Sequence, residues 1–120
     1  MAAVPFKFTT AASTNLQPVR AAQTANFKGF SAVVSAAYAV FLKLYWFTPT
    51  TAANGPTVGT TVPNATFMLG VTAGASSTSL SIPDGLTGNG ELWVAVTKLV
   101  GDADSTVTVA NDAVVTIFVE

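Results

Sequence analysis

Two pairs of acidic residues are the side chains of this sequence best spaced for chemistry. Asp84 and Glu91 flank the segment PDGLTGNGE, and two carboxyls set across a sugar-binding cleft can serve as the acid and the nucleophile or base of a glycosidase. Asp102 and Asp104, in GDADS, offer the hard oxygens that calcium prefers. The local sequence favours a plainer reading of both pairs. Asp84 belongs to a Pro-Asp-Gly turn and Glu91 opens a strand, while Asp102 and Asp104 cap a turn with their own side chains. Histidine and cysteine are absent. That removes the commonest general base, a Ser-His-Asp triad, a thiol nucleophile and the favoured ligands of zinc and transition metals. The expectation is a protein that is not an enzyme, with no cofactor and no metal.

Two shorter motifs have bland explanations. Asn64-Ala65-Thr66 matches a glycosylation sequon, which matters only in a secretory protein, and Gly88-Asn89-Gly90 lacks the following helix that a phosphate loop needs. The aromatic residues carry more. Val40, Leu42, Leu44 and Trp46 alternate with Phe41, Lys43, Tyr45 and Phe47, the period-two pattern of a strand. One face is expected to be core. The other, with Trp93, is read as an inter-subunit surface, and a sugar-stacking platform is the alternative.

These residues need a scaffold, and the composition limits its kind. The 120 residues suit a single domain that buries roughly two-thirds of its unfolded surface. Half of them are hydrophobic, only 9% are charged and the mean hydropathy is +0.53, against about 25% charge in an average protein. So little charge implies that part of the surface is covered by a partner. The net charge is −1, and Lys7, Arg20, Lys28, Lys43 and Lys98 stand singly, which excludes the basic stripe that nucleic acids require. Residues 30–47 form an apolar stretch nearly long enough to cross a bilayer. Lys43 inside the stretch and the alternation of its second half argue for strand instead. Residues 1–10 lack the basic start and apolar run expected of a secretory signal.

Strands are expected at about residues 6–9, 26–34, 40–47, 65–71, 78–82, 92–97, 107–109 and 115–119. Turns fall at residues 35–37, at Ala73-Gly74-Ala75-Ser76-Ser77, at Pro83-Asp84-Gly85 and at residues 102–105, and a loop with several prolines fills residues 48–63. Short strands at such spacing predict an all-β, single-domain β-sandwich or jelly roll. No repeat or linker divides it. Residues 1–23, rich in Ala and Thr, read as an extended N-terminal arm, and residues 24–120 as the β-sandwich domain.

In this order and spacing the chain resembles a family of small structural proteins of tailed bacteriophages. The resemblance is carried by Thr14-Asn15, Val19-Arg20-Ala21, Phe27-Lys28-Gly29, Phe41-Leu42-Lys43-Leu44-Tyr45 and Pro56-Thr57-Val58-Gly59-Thr60. It continues through Pro63, Pro83-Asp84-Gly85, Ala103-Asp104-Ser105-Thr106 and the final apolar strand at 114–119. Phe41 stands where the family usually has Tyr, and Trp46-Phe47 replaces a more polar pair. The resemblance implies a virion protein made in the bacterial host cytoplasm, in the first instance a capsid decoration (cement) protein. Such a protein bridges capsid subunits as a homo-oligomer, a trimer where capsomers meet, with the major capsid protein as partner. A tail, fibre or baseplate jelly roll touching host glycan is the alternative. The assembly surface would be Phe41, Lys43, Tyr45, Phe47 and Trp93. The capsid-contact arm would be Val4, Pro5, Phe6, Lys7 and Phe8.

Overall fold

The structure, a computed structural model, describes residues 4–20, 26–48, 55–70 and 76–120. Eight strands run through them: β1 (Val4–Thr9), β2 (Gln17–Arg20), β3 (Asn26–Val34), β4 (Val40–Phe47), β5 (Ala65–Leu69), β6 (Ser76–Thr87), β7 (Glu91–Thr97) and β8 (Ala113–Val119). They form two four-stranded sheets, ordered β1-β8-β3-β6 and β2-β7-β4-β5, with every pair antiparallel. No helix occurs among the described residues, and none is long and apolar enough to cross a membrane. The architecture is all-β with two antiparallel sheets, compatible with a β-sandwich.

The pairing is nested. β4 pairs with β5, β3 with β6, β2 with β7 and β1 with β8, so the chain runs as one antiparallel ribbon doubled back after β4. Folding that ribbon over itself brings β8 beside β3 and β7 beside β4, which completes each sheet.

Strand alternation builds the core. Ala113, Val115, Ile117 and Val119 of β8 are buried, while Val114, Thr116 and Phe118 between them are only partly covered. From the second sheet Val40, Leu42 and Leu44 of β4 and Leu92, Val94 and Val96 of β7 join the same cluster. Phe67 of β5 links the layers: its ring stacks on Phe27 with centroids 5.7 Å apart and tilts against Phe30 at 5.6 Å. Burying each such Val, Leu, Ile or Phe contributes roughly 1.5–3 kcal/mol. Of the residues expected inside, Leu42, Leu44, Leu92, Val94, Val96, Ile117 and Val119 are buried, and Trp46, Leu80 and Ile82 are partly buried against the cluster.

The expected N-terminal arm is placed differently. Residues 4–20 supply an edge strand to each sheet rather than a detached segment. Val4 to Thr9 pair in unbroken register with Val119 to Val114, and Gln17 and Pro18 pair with Val94 and Trp93. Period-two spacing is the cause, since Phe6 and Phe8 point the same way and pack on the core while Val4, Pro5 and Lys7 stay exposed. Pro5-Phe6-Lys7 is therefore strand, not arm.

Two further expectations change. Pro83-Asp84-Gly85 does not end its strand, because β6 continues to Thr87. Register jumps from Gly29↔Ser81 to Phe27↔Leu86, so residues 82–85 form a bulge opposite Lys28. Gly29, at φ 138°, permits this: a side chain there would meet the Leu80 carbonyl oxygen. Val107 and Val109 form no strand and are exposed, since both sheets are already complete without them. The expected turn at Ala73-Gly74-Ala75, Val71 at the end of one expected strand, the Pro49 to Asn54 part of the loop and the ends of the expected arm (1–3, 21–23) lie outside the described residues.

Candidate functional site

Phe41, Lys43, Tyr45 and Phe47 do share one face of β4, and register sets them beside Thr97, Ala95, Trp93 and Glu91 of β7. That face is not free. Lys43 is 0% and Tyr45 1% exposed, Ala95 and Thr97 are fully buried, and Phe41, Phe47 and Trp93 are half-buried. Two loops roof it. Residues 55–64 approach Trp93 so closely at Gly55 that a Cβ would lie 2.7 Å from the ring. Residues 98–112 cross over Lys43, and the two loops meet where Gly59 faces Ser105. The face of β4 expected to make assembly contacts is therefore internal to the domain. Alternation correctly separates its two faces, but it carries no information on what covers the second one.

Lys43 is the clasp of this roof. Its ammonium donates to the carbonyls of Gly101 at 2.8 Å and Asp104 at 3.1 Å, which satisfies a buried charge with backbone acceptors. Burial pushes the Lys43 amine below its ordinary value, and the negative charges of Asp104 and Asp102 partly offset this. Asp104 turns its carboxylate to the loop itself, accepting from Thr106 Oγ1 at 2.6 Å and from the Leu99 amide at 3.2 Å. Burial raises its pKa, but those hydrogen bonds and Lys43 outweigh it and hold the carboxyl below its usual range. The Tyr45 hydroxyl is buried with no hydrogen-bond partner among the described residues, and burial followed by the charge of Asp102 pushes it up.

Other polar groups also serve the fold. Asn15, at φ 58°, donates through Nδ2 to Thr108 Oγ1 at 2.8 Å and to the Val96 carbonyl at 3.2 Å, tying the β1–β2 turn to the roof. Asp112 accepts from the Val109 amide at 2.8 Å and from the Tyr38 hydroxyl. Burial and that contact raise the Tyr38 phenol to about 12. Glu91 accepts from Trp93 Nε1 at 3.2 Å, and Asp84 lies exposed on the β6 bulge. Among the described residues no group of three or more acidic side chains gathers in a way that could hold a metal ion.

The outer face of the first sheet is different. Its register places Lys7, Thr116, Ser31 and Ser79 in one row across the four strands, and Pro5, Phe118, Gly29 and Ser81 in the next. Beside the β6 bulge lies a pocket of about 430 Å³, lined by Lys28, Ser31, Ser79, Ser81, Pro83 and Phe118, with Phe30, Leu80 and Ile82. Lys28 donates to the Pro83 carbonyl and lies 3.9 Å from Glu120. Sequence reasoning missed this pocket. The signal was the alternation of Ser77, Ser79 and Ser81 with Thr78, Leu80 and Ile82 along β6, which marks a polar outer face.

Comparison of the chain with models of known protein families, with curated proteins and with solved structures finds no match.

Proposed function

We propose that this chain is a structural protein of a tailed-bacteriophage virion, most specifically a non-enzymatic decoration protein of the capsid surface. It clamps neighbouring capsid subunits through apolar and backbone contacts and so resists the pressure of packaged DNA. The working unit in this reading is a homo-oligomer, a trimer seated where capsomers meet, with the major capsid protein as partner and neither nucleic acid nor membrane involved.

The observation that carries the reading is an apolar surface on a chain with almost no charge. Val62, Met68, Leu99, Val100, Val107 and Val109 are each about half exposed or more. All belong to β5 or to the roofing loops, while Val4, Val33 and Leu86 are exposed on the first sheet, and only 9% of the chain is charged. Among the described residues, exposed apolar groups that outnumber those of the other sheet two to one support the roofed side as the interaction site. The assembly surface thus passes from the buried residues of β4 to the loops above them. The nested strand order supports the fold half of the proposal. An eight-stranded, two-sheet, all-antiparallel arrangement paired first with last supports reading it as a jelly roll, an architecture used by viral capsid and lectin domains. The family resemblance in motif order agrees with it.

Difference density settles the location. Heads lacking the protein, imaged with and without added purified protein, are expected to gain a trimeric feature of this size between capsomers. Density on the tail, fibre or baseplate instead would establish the second reading, and no density on any virion part would refute both.

A further inference from the structure

We infer that the pocket on the outer face of the first sheet is a binding site for a neutral hexopyranose. Its size falls within the roughly 300–1,000 Å³ of small-molecule sites. The chemistry of its wall selects the ligand class. Ser31, Ser79 and Ser81 are exposed, and their hydroxyls hold no hydrogen bond among the described residues, so each can donate and accept. Lys28 adds ammonium donors beyond the one given to Pro83, and Glu120 adds an acceptor. A ligand bearing many hydroxyls satisfies that mixed set.

Charge excludes the alternatives. The Lys28 ammonium is faced by the Glu120 carboxylate at 3.9 Å, so the mouth has no excess of either sign to attract a phosphate or an acidic sugar. Phe118 supplies the remaining element, an aromatic ring in the pocket wall. The negative face of such a ring attracts the polarised C–H groups on the apolar side of a pyranose. A peptide is a poorer fit. It would have to add to β6, the edge strand here, and the bulge at residues 82–85 with Pro83, which has no N–H, breaks that edge beside the pocket.

This site does not depend on the assembly surface, because it lies on the opposite sheet. The test needs only the isolated full-length protein. Methyl glucoside, galactoside and mannoside are titrated into ¹⁵N-labelled protein, with glucuronate and inorganic phosphate as separate probes. At least one neutral glycoside is expected to give saturable shifts centred on the amides of residues 28–31, 79–82 and 118. Replacing both serines as Ser31→Val and Ser79→Val, β-compatible changes at exposed positions, is expected to weaken binding about tenfold or more with an unchanged melting temperature. Phe118→Leu keeps the bulk and should weaken it severalfold. The inference is overturned if no neutral glycoside saturates below about 50 mM, weaker than ordinary ligand affinities. Shifts centred elsewhere, binding of only the anionic probes, or wild-type affinity in the serine double variant would overturn it equally.

Discussion

The two sheets have the same strand number and the same kind of inner face, yet their outer faces are put to opposite uses. On the second sheet the outer face is enclosed: Lys43, Tyr45, Ala95 and Thr97 lie under loops and are as inaccessible as the core. On the first sheet the corresponding rows, with Lys7, Ser31, Ser79 and Ser81, are exposed. A lysine in one place is a folding element and in the other a surface group. Residue type and strand alternation therefore do not decide accessibility. What decides it is whether a long connection has a sheet face to cross, and here both of the roofing loops cross the same one.

The sharpest way to break this comparison is to change one outer-face residue on each sheet. Lys43→Glu sets a carboxylate against two carbonyl oxygens in a sealed site with Asp102 and Asp104 nearby. It is expected to cost more than about 4 kcal/mol or to prevent folding. Ser31→Val should stay within about 0.5 kcal/mol of wild type in the same urea titration. Comparable effects at both positions would mean that the roof is not closed. Next in size, Leu44→Ala, whose side chain shares β4 with Lys43 but points into the core, is expected to cost about 2–5 kcal/mol. An effect much smaller than that of Lys43→Glu is compatible with the account; no effect is not.

Asn15→Ala tests how the roof is anchored. It removes the side chain that reaches both Thr108 and Val96 and leaves a non-glycine residue at positive φ. A loss of about 1–3 kcal/mol is expected, with faster amide exchange in residues 98–108 and none on the first sheet.

Alkaline pH gives the smallest effect. The Tyr38 phenol, raised from 10.0 to about 12, keeps its proton longer when folded than when unfolded, so its contribution is complete below pH 10 and is lost as pH rises towards 12. Tyr45 acts in the same direction. Lys43, shifted below 10.5, acts oppositely and gains stability as it loses its proton. Net stability should decline between pH 10 and 12, and Tyr38→Phe should flatten the decline; a steeper decline in that variant would contradict the assignment.

The bounds of β3 and β4 were legible because Val and aromatic residues fill both segments between turn signals, with clean alternation in β4, and the structure places them at the expected residues. β2 was not legible. Gln17–Arg20 is only four residues long, contains a proline and gains its identity from pairing with β7, more than 70 residues away. Pro83-Asp84-Gly85 carries real turn chemistry, yet a β-bulge needs the same backbone freedom, and only the partner strand distinguishes the two. The same limit governs the candidate sites. Period two told which side chains of β4 share a face. The roof over that face, and the pocket between Phe118 and the β6 serines, come from long-range contacts that leave no local pattern in the sequence.

In the proposed virion role, the roofed side of the protein makes the assembly contacts while the bare sheet face does not. Co-sedimentation with heads lacking the protein tests it most directly, comparing wild type with a Leu99→Asp, Val100→Asp variant and with a Ser31→Val, Ser79→Val variant. Wild type and the serine variant are expected to pellet with the heads, and the loop variant, folded by its melting curve, to stay in the supernatant. A loop variant that pellets like wild type, or a serine variant that does not pellet, would contradict it.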